Sequence, residues 1–242
     1  LAHAWIAPIA GMAAAVFAFL IFYFKVDVES RPGVDPWDYY VQMSFAIFSM
    51  LLLIPAVVLL SSSLANTEHR ARAWKYLYAL PLHRGGVYLA KLSLVVLLLA
   101  SVYLIFWCAT LLTGSMLGAL RPEYGFQNFT PDLAGSSRLL TRSFTAALGL
   151  LALQYALSIR WKNYLLAVGV GFLGTVAAPV LIGQTELAYA IPYCYPVFLA
   201  QAMDGNESFV LAEQLYAGLS SVEWYSLGFF VLFVGVGYYL ES

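Results

Sequence analysis

Six long apolar stretches, separated by polar connections, constrain the fold of this chain more than any other feature of its sequence. Hydrophobic residues make up 62% of the 242 residues and charged residues only 10%, against about 25% charged in an average soluble domain. A helix needs about 20 mostly apolar residues to cross a bilayer. The sequence therefore predicts a single all-α, polytopic transmembrane domain over residues 1–242, with spans at about 3–24, 38–64, 87–118, 138–159, 164–183 and 224–240.

The charges of the connections predict the orientation of these spans. Some connections are rich in Lys and Arg, and 11 of the 13 acidic residues lie in the remaining loops. Basic loops stay in the cytosol, so both chain termini should be cytosolic and the protein should be a multi-pass protein of the plasma membrane. The first stretch has no basic region before it and no small-residue cleavage site after it, so we expect a true span rather than a signal peptide. Seven of the 12 basic residues lie on the predicted cytosolic side: Arg70, Arg72, Lys75, Arg84, Lys91, Arg160 and Lys162.

The connection between the last two spans has an unusual composition. Residues 187–202 are apolar and aromatic, but Pro192 and Pro196 interrupt them, and the stretch is too short to cross. We therefore expect an extracytoplasmic re-entrant or interfacial element. If it borders an exit path, Tyr193 and Tyr195 are candidate contacts for a substrate or a lipid.

Arg138 and Arg142 are cations within the predicted fourth span, at i, i+4 spacing near its outer end. Two interpretations remain open. The side chains either reach the outer lipid head groups, or they bind an anionic substrate or lipid head group.

Motifs of soluble catalysis, metal binding and nucleic-acid binding are missing from the sequence. The glycine pattern at 169–174 matches GxGxxG but lies inside an apolar span, so it cannot open a dinucleotide fold. No Gly-Lys dipeptide occurs, and neither the three histidines nor Cys108 and Cys194 have metal-ligand spacing. The sequence therefore predicts no catalytic residue, metal or cofactor in this chain, and no nucleic-acid partner.

The basic connection at 66–86 predicts a short amphipathic helix. Asn66 or Thr67 should cap its start and Pro81 should end it. Helical spacing places the polar side chains on one face and the apolar ones on the other. The polar face holds Glu68, Arg72 and Lys75, and the other face holds Trp74, Leu77, Tyr78 and Pro81. From residue types alone, this helix either anchors the connection in the interface or docks a partner.

The same connection contains a longer pattern, made of Glu68, Trp74-Lys75, Leu80-Pro81, Arg84 and Lys91. With this pattern it resembles the cytosolic coupling segment of permeases of type-2 ABC exporters. The resemblance is closest to the branch of lantibiotic-immunity and bacitracin-resistance permeases, and the turn at 153–163 is also similar to that branch.

The resemblance implies a function and two kinds of protein partner. It implies an exporter permease in a prokaryotic membrane that moves an amphipathic peptide, a lipid-like molecule or an antibiotic. It also implies a separate ABC subunit that binds ATP and Mg²⁺ beneath the coupling helix, and a second permease subunit, either the same chain or a different one. The alternatives are a carrier or channel that works without ATP, and a membrane enzyme or assembly factor without a transport role.

Overall fold

The computed structural model describes residues 5–24, 35–71, 84–161, 163–183, 185–203 and 219–241. These residues are almost entirely helical, and no strand occurs among them. A π-helical turn, Phe48–Leu52, joins α2 to α3, and short 3-10 turns lie at Pro122–Tyr124, Phe126–Asn128 and Pro192–Cys194. The α-helices are α1 Ile6–Phe24, α2 Pro36–Ile47, α3 Leu53–Ala71, α4 Arg84–Leu120, α5 Leu133–Arg160, α6 Tyr164–Leu181, α7 Thr185–Tyr189, α8 Tyr195–Met203 and α9 Ser221–Glu241.

Within the described ranges, five helical stretches are long and apolar enough to cross a membrane by length and composition. They are Ile6–Phe24, Pro36–Asn66, Gly85–Leu120, Tyr164–Leu181 and Ser221–Tyr239. The predicted span at 138–159 lies inside α5, whose 28 residues would extend about 42 Å at 1.5 Å per residue. Helix α5 is not among the five, and its sequence includes Arg138, Arg142 and Gln154. The prediction of an all-α polytopic membrane protein is confirmed.

The second span is one helical rod with a local change of hydrogen bonding. In the π-helical turn, the backbone N–H of Leu53 bonds to the carbonyl of Phe48. Pro55 is the third residue after this turn, and a proline inside a regular helix lacks a donor and clashes with the carbonyl four residues earlier. The residue four positions before Pro55 is Leu51, which lies in the wider π-helical turn. The helix therefore continues past the proline.

The predicted start of a separate helix at Asn66 or Thr67 is wrong. Helix α3 runs through both residues without a break and ends at Ala71. Asn66 is half-buried and lines a narrow gap with residues of α5 and α6. Packing of this kind overrides the capping preference of Asn, which is only a weak local signal.

Four helix termini define what we call the coupling end of the bundle: the end of α3, the start of α4, the end of α5 and the start of α6. Helix α9 also finishes here, because the ring of Tyr238 lies against Gly85 and the Tyr88 side chain lies against Gly237. Tyr88 also packs on Tyr155 of α5, with ring centroids 5.7 Å apart.

Aromatic side chains close the opposite end of the bundle. Trp37 donates its indole N–H to the carbonyl of Phe126 at 3.2 Å, and the Tyr124 hydroxyl donates to the carbonyl of Phe22 at 3.3 Å. Gly125 has a φ of 73°, the left-handed conformation that favours glycine and that lets two 3-10 turns follow one another. This closure joins α1, α2 and α4 through the segment at 121–132.

Candidate functional site: the coupling segment, a polar junction and a buried ion pair

The structure positions both ends of the predicted coupling segment. Glu68 lies in the last turn of α3, and Arg84 is the first residue of α4. The connection therefore leaves a membrane-spanning helix on one side and enters another on the other. The remaining predicted coupling residues lie outside the described residues: Arg72, Trp74, Lys75, Leu77, Tyr78 and Pro81.

A fully buried amide connects three helical elements in the half of the bundle nearest the coupling end. Gln154 of α5 has no exposed surface. Its Nε2 donates to the carbonyl of Ala167 in α6 at 2.8 Å, and its Oε1 accepts a short hydrogen bond from the hydroxyl of Tyr193. Both functional atoms of the amide are satisfied, which offsets the cost of burying it in an apolar bundle. The position of this side chain is therefore fixed from two directions.

Two serines extend this arrangement to α3. Ser158 donates to the carbonyl of Gln154 at 2.7 Å, and its Oγ lies 3.1 Å from the Oγ of Ser62. Both serines are buried. We call the set of Ser62, Ser158, Gln154, Ala167 and Tyr193 the polar junction, because it joins α3, α5, α6 and the turn that precedes α8.

The predicted re-entrant stretch folds back into the bundle. An added Cβ at Gly174 of α6 would collide with the ring of Tyr193, so the two lie in contact. Gly174 is seven residues before the end of α6, which puts the contact about 10 Å below that end. The chain from 192 to 200 is almost fully buried, and α8 packs on α2, α5 and the π-helical turn.

The two tyrosines singled out as substrate or lipid contacts are both buried in this element. Tyr193 is 6% exposed and Tyr195 is 0% exposed. The Tyr195 hydroxyl donates to the carbonyl of Tyr189 at 2.8 Å, so this bond is local to the element, whereas the bond of Tyr193 leaves it. A direct contact with substrate at either tyrosine stays a prediction.

The two arginines of α5 occupy different environments. Arg138 is exposed, whereas Arg142 is 8% exposed and forms an ion pair with the fully buried Glu223 of α9. The Arg142 Nη2 donates to Glu223 Oε2 at 2.7 Å, and its Nε donates to Oε1 at 3.1 Å. The side chain of Arg138 is thus accessible, whereas the guanidinium of Arg142 is occupied by Glu223.

Glu223 also organises the first turn of α9. Its Oε2 accepts the backbone N–H of Ser220 at 2.6 Å and the Ser220 hydroxyl at 2.9 Å. This is one half of a capping box, in which a Glu three residues after a Ser satisfies an otherwise unpaired backbone donor. One carboxylate therefore both starts α9 and neutralises Arg142.

Gln154 and Glu223 are not among the candidate residues predicted from the sequence. Glu223 directly precedes the predicted last span and so falls in an acidic loop, although the Ser-x-x-Glu spacing at 220–223 is a visible signal for a cap. Gln154 carried the signal of an uncharged polar residue inside an apolar span. The partner of Gln154 is 39 positions away and the partner of Glu223 is 81 positions away. No local sequence pattern identifies a partner at such a separation.

The described part of the chain contains no candidate metal-binding site. No group of three or more His, Cys, Asp or Glu side chains converges there. Cys108 is exposed on α4 and Cys194 is buried, and both are free thiols.

Comparison with known proteins places the chain in a family. Neither the comparison with curated proteins nor the comparison with solved structures gave a match. The family model of the ABC-2 family transporter protein matches residues 2–178, which is most of the chain and includes α1 to α5 and the predicted coupling segment. The chain therefore belongs to the ABC-2 transporter family, whose members form the membrane component of ABC transporters rather than the catalytic one.

Proposed function

We propose that this chain is the permease subunit of an ATP-driven exporter and that segment 66–86 docks a separate ATP-binding subunit. The observation that carries the proposal is the ABC-2 family match, which runs across the whole segment and the helices on both sides of it. Because α3 is helical up to Ala71 and α4 from Arg84, a displacement of the segment would be applied directly to two long helices. ATP and Mg²⁺ would be held by the partner.

The two faces of the segment have separate proposed roles. Glu68, Arg72 and Lys75 would contact the ATP-binding subunit, with Arg84 at the start of α4. Trp74, Leu77, Tyr78 and Pro81 would hold the segment against the membrane and the ends of the helices.

For the cargo, we propose an amphipathic peptide, a lipid-like molecule or an antibiotic, as in the lantibiotic-immunity and bacitracin-resistance permeases. The chain would work in a prokaryotic plasma membrane, with both termini in the cytosol and with a second permease subunit of the same or a different kind. The exposed Arg138 supports a contact with an anionic head group at the outer surface. A role for Arg142 in substrate binding would require its pair with Glu223 to open.

A charge reversal tests the proposed docking face. In the predicted helix, Glu68→Lys would change an i, i+4 attraction to Arg72 of about 0.3 to 0.5 kcal/mol into a similar repulsion, which is too little to unfold the bundle. A desolvated charge contact with a partner is worth about 2 to 5 kcal/mol. We therefore expect the variant to insert normally but to recover far less of the ABC ATPase that co-purifies with the unmodified chain.

The matched control is Glu123→Lys, at the opposite end of the bundle. Glu123 is exposed and pairs with Arg121 at 2.8 Å, so its reversal makes a similar local change without touching the coupling end. It should retain the ATPase. Failure of the unmodified chain to bind any ABC ATPase would reject the proposed function in favour of an ATP-independent carrier or a non-transport role. Normal binding by Glu68→Lys would reject only the assigned face.

A further inference from the structure

The polar junction connects the re-entrant element to the helix that leads into the coupling segment. Gln154 is six residues from the end of α5, about 9 Å from the coupling end, and Ser158 is closer still. Ser158 contacts Ser62 of α3, nine residues before that helix ends at Ala71. The hydroxyl of Tyr193 therefore reaches from the re-entrant element to a group adjoining the coupling end.

A second contact joins the same two parts of the chain. Helix α8 packs on the π-helical turn, where the α2–α3 rod changes its hydrogen-bond register. Turns of this kind interrupt helices and are frequent at functional sites. The α2–α3 rod therefore meets the re-entrant element at two places. The π-helical turn contacts it directly, and Ser62 is connected to it through Ser158 and Gln154.

The chemistry of Gln154 suits a connector better than a packing residue. Leu would fill a similar volume without polar atoms, and in an apolar bundle it would need no partner. A primary amide instead has a donor nitrogen and an acceptor oxygen, and here each atom bonds to a different element. The Tyr193 ring is packed on Gly174, so the element is positioned by shape and its hydroxyl bond fixes it to α5.

We propose that Gln154 and Tyr193 are positioning residues that transmit movement of the coupling end to the re-entrant element. When α3 shifts with its partner, Ser62, Ser158 and Gln154 shift with it and move the turn at Pro192–Cys194. This inference rests on the proposed function, because it needs a partner that moves the coupling end.

The native Cys194 thiol reports on this movement without knowledge of the cargo. It is next to Tyr193, fully buried, and lies 4.0 Å from the carbonyl of Ala178. In a Cys108→Ser background, it is the reporter for a small maleimide applied to the complex of permease and ATPase. We expect its labelling rate to differ between the nucleotide-free complex and the complex trapped with Mg²⁺, ATP and vanadate.

Tyr193→Phe and Gln154→Leu each remove the connecting bond. A net hydrogen bond of roughly 0.5 to 1.5 kcal/mol corresponds to about a two- to tenfold change in an opening equilibrium. Basal labelling of Cys194 should rise by that factor, and the response to nucleotide should be lost in both variants. Gln154→Leu also removes the bond to the carbonyl of Ala167, which Tyr193→Phe retains. The double variant should therefore match Gln154→Leu, because the bond between Gln154 and Tyr193 is already absent from that single variant.

The matched control is Tyr103→Phe. Tyr103 is also a buried tyrosine that donates to α5, to the carbonyl of Ser143 at 2.8 Å, but it belongs to α4 and is outside the polar junction. It should keep both the basal labelling rate and the nucleotide response. Loss of the response in this control, or an unchanged response in Tyr193→Phe, would overturn the proposal.

The outcomes separate this inference from the proposed function. If no ATPase binds the unmodified chain, the proposed function fails first. If the ATPase binds and hydrolyses ATP, yet labelling of Cys194 is the same in both nucleotide states, then the re-entrant element does not follow the coupling end and only this inference fails.

Discussion

At the scale of single residues, the Arg142–Glu223 pair is a buried ion pair between α5 and α9. Both groups are buried, and the carboxylate also accepts two bonds from Ser220. Exposed ion pairs contribute at most about 1 kcal/mol, but removing one member of a buried pair leaves an unpaired charge in an apolar surrounding. The pair therefore matters mainly through what happens when one partner is lost.

We predict that Arg142→Met will destabilise the chain by about 3 to 5 kcal/mol, because Glu223 would be buried without its cation. The double variant Arg142→Met with Glu223→Gln should recover part of that loss, because the amide oxygen can still accept from Ser220. Apparent melting temperatures in detergent measure both changes. Equal melting temperatures for Arg142→Met and the unmodified protein would show that the pair carries no net stability.

At the scale of elements, close backbone packing joins α5 to α9. The Ser226 hydroxyl accepts the backbone N–H of Gly149 at 2.9 Å and donates to the carbonyl of Thr145 at 2.8 Å. A Cβ added at Gly149 would lie 2.7 Å from the carbonyl oxygen of Ser226, which is backbone and has little freedom to move. Glycine at this position lets the helices approach and exchange these bonds.

We predict that Gly149→Ala will cost about 1 to 3 kcal/mol through overpacking, despite the higher helix propensity of Ala. Gly228→Ala on α9 is the control, since an added Cβ there meets nothing within 4 Å. This control should be neutral or slightly stabilising. Thermal denaturation of the two variants at matched expression distinguishes packing from propensity. An equal loss of thermal stability in both variants would mean that these glycines matter for backbone flexibility rather than for close approach of the helices.

At the scale of the whole molecule, orientation in the membrane decides which partners each end can meet. We predict that single cysteines at Glu29 and Asn128, in a chain without Cys108 and Cys194, will react with an impermeant thiol reagent applied to intact cells. Asn128 is exposed at the opposite end of the bundle. A cysteine at Arg72 should react only after permeabilisation, because the basic connections are expected in the cytosol. Labelling of position 72 from outside would invert the topology and remove the basis for docking an ATPase.

The sequence by itself determined the fold class and the family. Hydropathy is a local property of consecutive residues, so the apolar stretches predicted a polytopic helical protein, and most of them coincide with long helices in the structure. The quoted residues of the coupling connection likewise suggested an ABC permease, and the ABC-2 family match agrees at that level.

Only the tertiary structure decided which polar groups meet. Gln154 and Tyr193 are 39 residues apart, and Arg142 and Glu223 are 81 apart, so nothing in their local sequence specifies the pairing. The run of α3 through Asn66 depends equally on neighbours that are distant along the chain. In an apolar bundle each buried polar atom must find a partner or carry a large cost, and which partner it finds depends on how the helices pack.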